Sequence, residues 1–224
     1  MMPTPTELFL FNNRPIYQIG HPLITCFQAG MAIDADGCPN AYHPDNTGLD
    51  DLKHGGHPGN WWGVATDNES PDGNPLIQNK NDPAPGYYVS TTSLINTEFE
   101  YRNPARYVNA QEVPYFVLPE RFLECIKLGD IAWVFNTSNK FNCFAIFADV
   151  GPDVGEGSIY LAGKLGIPDD PRVGGVDSGI LYFIFNGSGR GNGVHLTENE
   201  IILAGEKAMQ GFNVHELVSI LTDQ

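Results

Sequence analysis

The sequence predicts a mainly β, α+β domain with a few helices, including a helical C-terminal tail. Charged residues make up only 17% of the 224 positions, while Gly (25) and Pro (17) are plentiful; that balance suits short strands and ordered loops better than a helical bundle. Runs rich in β-branched and aromatic residues recur between turn signals, and helical spacing with caps appears only from residue 158 onward. Hydrophobic residues at 42% are enough for a core. With no internal repeat and no convincing linker, 1–224 reads as one domain.

Residues 1–20 read as a lead-in. LITCFQAGMAID (23–34) is strand-like and ends at a DADG turn, and 36–60 is a long polar loop. NWWGVATD (60–67) and YYVSTTSLI (87–95) read as strands, the second by its alternation. VPYFVLPERF (113–122) is a strand stopped by Pro119, and DIAWVFN (130–136) with CFAIFAD (143–149) makes a hairpin. SIYLAGKLG (158–166) has apolar residues at helical spacing and a C-cap at Gly166. GILYFIFNGSG (179–189) is a buried strand. TENEIILAGEKAM (197–209) opens on the capping-box pair Thr197 and Glu200, and 213–221 is a second helix.

Acids outnumber bases 27 to 12, a net charge of −15. Such a surface repels nucleic acid and anionic membrane and attracts cationic ligands, or it serves solubility alone. No stretch approaches the roughly 20 apolar residues of a membrane span. The N-terminus lacks the basic start and long apolar run of a secretory signal, so the chain as written reads as soluble and cytoplasmic. Cys26, Cys38, Cys125 and Cys143 form no CxxC pair, which argues against structural zinc and leaves disulfides open.

Asp149 ends a strand and Glu156 stands seven positions later across a Gly/Pro loop. A strand-end carboxylate sits where loops form clefts, although Asp before Gly-Pro is also a turn former. Glu156 reads as first-turn residue of a helix, where an anion suits the dipole. Two carboxyls roughly 6.5–9.5 Å apart suit inverting glycoside hydrolysis, one protonating the leaving oxygen and the other activating water. Asp34 and Asp36 in DADGCPN have the look of a calcium loop without its third ligand position or closing Glu. They read equally as an acidic patch for a cationic substrate or as a plain Asp-Gly turn. His54 and His57 lack the partners of a metal site. Of the adjacent Trp61 and Trp62, one faces a core and the other can stack on a sugar ring; Trp133 reads as core. No nucleophile-elbow, phosphate-loop or dinucleotide fingerprint is present, and GSGRGNG (187–193) reads as a loop.

MAIDADG (31–37), GDIAWVF (129–135), FADVGPDVGEGS (147–158), the apolar helix after it and LYFIF (181–185) resemble, in this order, glycoside hydrolase family 75, the fungal-type chitosanases. The likeness spans roughly residues 25–190. It implies a six-stranded double-psi β-barrel core and endo-hydrolysis of the β-1,4 bonds of chitosan with inversion. By motif it places the essential Asp and Glu on Asp149 and Glu156. Secretion is usual in that family. Chitosan is a polyamine, so a net charge of −15 should attract it and salt should weaken the attraction. Asp34 and Asp36 are then candidates for glucosamine ammonium groups, and Trp62 for stacking. No cofactor or metal is expected, and a monomer is the default. Glu156 is the expected general acid with Asp149 on the water; analogy with related barrels suggests the reverse. The other readings are a non-catalytic acidic carbohydrate-binding barrel and a hydrolase of a related amino-sugar polymer such as peptidoglycan.

Overall fold

The structure is a computed structural model and describes residues 4–20 and 23–222. In chain order the elements are β1 (Thr6–Phe11), β2 (Arg14–Ile19), β3 (Ile24–Asp34), α1 (Leu52–Gly55), β4 (Gly56–His57), β5 (Asn60–Trp61), β6 (Tyr115–Leu118), β7 (Ile131–Asn136), β8 (Asn142–Val150), β9 (Glu156–Ser158), α2 (Ile159–Lys164), β10 (Val176–Phe185), α3 (Glu198–Met209) and α4 (Val214–Thr222). Strands β3, β10, β7, β8, β6 and β9 pair in that order, and β9 pairs back onto β3. The sheet therefore closes on itself as a six-stranded barrel, the architecture that the resemblance implies. Two of its pairings, β3 with β9 and β6 with β8, are parallel, so the barrel is not a simple meander.

Alternation along the strands explains how the barrel is filled. Phe27, Met31, Phe116, Phe147, Ala132 and Tyr182 share one cluster fed by five of the six strands, which is the interior. The residues between them point outward into two further clusters. Trp133, Phe183 and Phe185 pack beneath Leu217 and Leu221 of α4. Tyr115, Val117, Ile146 and Ala148 pack beneath the long segment that follows β3, through Tyr42, Trp61, Val64 and Leu94. That segment lies on the outer wall formed by β6 and β8, and it positions the site.

Several elements differ from the sequence reading. The lead-in is a hairpin, β1 against β2, turned by Asn12 and Asn13 at φ 47° and 63°, the left-handed pair that a two-residue hairpin needs. Residues 1–3 of that lead-in lie outside the described residues. Residues 60–67 and 87–95 are not strands beyond Asn60–Trp61; they carry isolated bridges at Val64, Thr66, Tyr88, Ser90 and Ile95. Their alternation reflects packing on neighbours: Val64 and Leu94 on the barrel wall, Ala65 and Val89 on each other's cluster. Glu156 is not in a helix. It opens β9, and the helix begins only after Ser158, whose Oγ accepts from Leu161 N at 3.1 Å. The capping box at Thr197 and Glu200 and the left-handed Gly166 stand as read. All four cysteines are free. Among the described residues no helix is long and apolar enough to cross a membrane.

Candidate active site

Asp149 owes its direction to a bulge. Along β8, Ala145 and Phe147 point into the barrel while Ile146 and Ala148 point out. Simple alternation would send Asp149 inward, where a carboxylate is costly. The register against β6 slips at this point: Phe116 pairs with Phe147, but Val117 pairs with Asp149. The extra residue, Ala148, turns Asp149 onto the outer face beside Val117, the re-aiming that bulges near functional sites perform.

Glu156 reaches the same face from the opposite side. It pairs with Val117 across the other edge of β6 and with Ala32 of β3. Asp149 and Glu156 are therefore flanking neighbours of one valine, two strand spacings apart. Gly151 keeps the space over Glu156 open, since a Cβ there would stand 3.2 Å from Glu156 Oε2 and 2.8 Å from Val117. Asp34 ends β3 on this face, opposite Ser158 of β9. Asp36 follows in the turn. One carboxylate oxygen from each of Asp34, Asp36 and Asp149 falls within a 4.8 Å mutual distance. A hard divalent cation would find that donor set suitable. No metal motif marks it in the sequence, because the third donor comes from a segment more than a hundred residues away.

Each acid is held differently. Asp149 Oδ1 accepts from Ser93 Oγ at 2.6 Å, Ser93 N at 2.8 Å and Val150 N at 2.9 Å. Asp36 Oδ1 accepts from Tyr42 Oη at 2.7 Å and Ser90 Oγ at 3.2 Å. Asp34 is 6% exposed and accepts from Asp36 N at 2.7 Å. It is the floor of the cluster rather than an open patch on the rim. Trp62 is 56% exposed, while Trp61 and Trp133 are core.

Burial raises all four carboxyls above their ordinary range, and neighbouring charges add to it for Glu156, Asp34 and Asp36. Asp149 is pushed up to about 6 by burial, opposed by its bonds from Ser93 and Val150. Glu156 is pushed up to about 7 by burial first, then by the charges of Asp149, Asp50 and Asp153. Asp34 is raised well above ordinary by burial, Glu156 and Asp149, and Asp36 by burial, Asp34 and Asp149. Like charges packed together cannot all ionise, so the cluster retains protons at neutral pH. The result is one carboxyl that keeps its proton beside another whose ionised form has three donors.

Asp149 and Glu156 thus come together as the sequence suggested, and Asp34 and Asp36 join them. Ser93, Ser90, Tyr42 and Tyr115, whose hydroxyl donates to Asp36 O at 3.0 Å, carry no sequence signal. They lie on the loop segment and on β6, and only the three-dimensional register brings them near. Removing the Ser93 hydroxyl in Ser93→Ala takes a charge-assisted bond from Asp149. If Asp149 acts as a base, the acid limb of the kcat/KM profile should then move to higher pH by about one unit. An unmoved limb in a pH–rate series would dissociate Ser93 from the chemistry. No protein-family model matches the sequence, and no curated protein matches it.

Proposed function

We propose that the protein is an endo-acting glycoside hydrolase that cleaves the β-1,4 glucosaminidic bonds of chitosan with inversion. The placement of Asp149 and Glu156 on either side of Val117 carries this reading. Neighbouring strands stand about 4.8 Å apart, so the two backbones are roughly 10 Å apart. A backbone separation of that size is compatible with carboxyls roughly 6.5–9.5 Å apart, the spacing that leaves room for a water opposite the scissile bond.

In this mechanism Glu156, the acid with the higher affinity for its proton, protonates the glycosidic oxygen. Asp149, whose ionised form accepts from Ser93 and Val150, takes a proton from the attacking water in the fraction of molecules in which it is ionised, a fraction that grows as pH rises toward and past about 6. As the aglycone leaves, positive charge develops on the sugar ring, and the remaining carboxylates of the cluster favour it. Asp34 is buried and raised well above the ordinary carboxylate range, as is Asp36, so these two hold protons of the cluster rather than pair with the substrate's ammonium groups. The excess of acids across the chain draws the polyamine toward the site.

Chain-length analysis of soluble chitosan incubated at pH 5–6, with proton NMR of the first products, tests the reading. Short oligomers released as the α-anomer are expected. Intact polymer with retained binding would leave a carbohydrate-binding barrel, and cleavage confined to acetylated or peptidoglycan-type polymers would move the substrate. Release of the β-anomer would overturn inversion.

A further inference from the structure

Beside the acid cluster stands a second group of side chains that the proposed reaction does not use. Asp50, whose side chain is 5% exposed, faces the 48% exposed His54, with both carboxylate oxygens 2.9 Å from Nδ1. That pairing fixes Nδ1 as the donor and leaves Nε2 as the nitrogen free to meet a ligand. A buried carboxylate orienting a half-exposed imidazole is an expensive arrangement for a surface loop, and it fixes the ring's direction.

The loop that carries the pair is tied down. The Arg172 guanidinium, from the segment between α2 and β10, donates to the carbonyls of Asn46, Gly48, Leu49 and Asp50 at 2.9–3.3 Å. A planar five-donor fork suits such a clamp. The same loop abuts the acids. Asp50 is among the charges acting on Glu156, and Gly63, which donates to Gly55 O at 3.0 Å, lies against Asp36, so that a Cβ there would stand 3.2 Å from either carboxylate oxygen.

Trp62 completes the group. Its Nε1 donates to His54 O at 2.6 Å, so the indole's polar edge is occupied, and its ring meets that of His57 edge-to-face with centroids 5.9 Å apart while 56% of the residue stays exposed. An exposed aromatic ring held through the backbone of a residue with an oriented imidazole offers a pyranose what it requires: one surface for its C–H face and one partner for a hydroxyl. We infer that His54 and Trp62 form a sugar-binding subsite flanking the acids, with Asp50 and Arg172 as positioning residues that act through His54. This subsite rests on the proposed glycoside hydrolase reading for its place in the reaction, but not for its own test.

Binding of a glucosamine hexamer to the full chain carrying Glu156→Gln, which prevents consumption of the ligand, measures the subsite by calorimetry. Adding His54→Ala or Trp62→Ala should weaken binding by about tenfold each, one hydrogen bond or one stacking contact being worth that much. His54→Gln, which keeps a polar atom near Nε2, should recover part of the loss. Asp50→Asn should weaken binding in the presence of His54 and add little once His54 is Ala, the non-additivity of a residue that acts through another. In the chain that retains Glu156, His54→Ala should raise KM far more than it lowers kcat, a split that a merely structural role for the pair does not produce. A hexamer that binds in a His54-dependent way but is not cleaved keeps the subsite and overturns the hydrolase reading. Cleavage with KM and hexamer affinity unchanged in His54→Ala overturns the subsite and keeps the hydrolase. Neither binding nor cleavage overturns both.

Discussion

On the proposed hydrolase reading, Asp149→Asn and Glu156→Gln should each lower the turnover of soluble chitosan by about 10²–10⁴-fold, the usual contribution of a positioned proton-transfer group. Both leave the melting temperature at pH 7 unchanged or slightly higher. The substitutions keep side-chain shape, and an Asn at 149 still presents an oxygen to Ser93 N and Val150 N. What is lost is a proton donor in one variant and a proton acceptor in the other. Neither loss harms the fold, because each removes an ionisable group from a cluster whose burial and crowding oppose ionisation. The two roles separate further with azide. A small anionic nucleophile replaces the activated water, so it restores Asp149→Asn and does nothing for Glu156→Gln. Initial rates from reducing-end release and calorimetric melting check all of this. Near-native turnover in either variant removes that residue from the chemistry, and unfolding without a separate rate effect returns it to a structural part. Azide rescue of Glu156→Gln alone would reverse the assignment.

Much of this site is readable from the chain because its strongest signals are local. CFAIFAD alternates, stops at Asp149 and meets Gly-Pro, which is enough to place a carboxylate at a strand end. What is not readable depends on register. The bulge at Ala148 exists only against β6, more than twenty-five residues away in the chain, yet it decides whether Asp149 faces the barrel interior or the outer wall. Glu156 lies in a three-residue strand whose partners are Ala32 and Val117. Its own sequence, a Gly-Glu-Gly-Ser before an apolar helix, looks like a helix start because one follows immediately. Tyr42 sits in a loop without a pattern, and Ser93 in a segment whose alternation suggests a strand and not a site. The same cause makes 60–67 and 87–95 look like strands, where alternation arises from lying on a wall rather than from belonging to a sheet.

Stability of the folded chain falls as pH rises from about 4 to about 7. Asp and Glu ordinarily titrate at 3.8 and 4.5, whereas Asp149 and Glu156 in the fold do so at about 6 and about 7, with Asp34 and Asp36 also raised. Across that interval the folded state binds more protons than the unfolded one, so each step up in pH removes stability. A tenfold change in proton affinity corresponds to about 1.4 kcal/mol, which sets a ceiling of about 3 kcal/mol for each of Asp149 and Glu156. Solvent reaching their half-buried oxygens lowers that figure. Exposed carboxylates such as Asp67 and Glu200, whose hydrogen bonds lower their affinity for protons, act in the opposite sense. They favour the fold above the ordinary carboxylate range and cease to as pH drops into it. Together the two sets place the stability maximum near pH 4–5, below the neutral range usual for proteins. Asp34→Asn isolates the cluster's share: its amide oxygen still accepts from Asp36 N, and one buried charge is gone. Melting temperature should therefore rise at pH 8, change little at pH 5, and vary less between them than in the parent. Calorimetry across that range decides the matter. A parent chain most stable at pH 7–8, or an Asp34→Asn chain that loses stability there, would mean that the four carboxylates are ionised and compensated, and the proton-sharing assignment of Glu156 as general acid would fall with it.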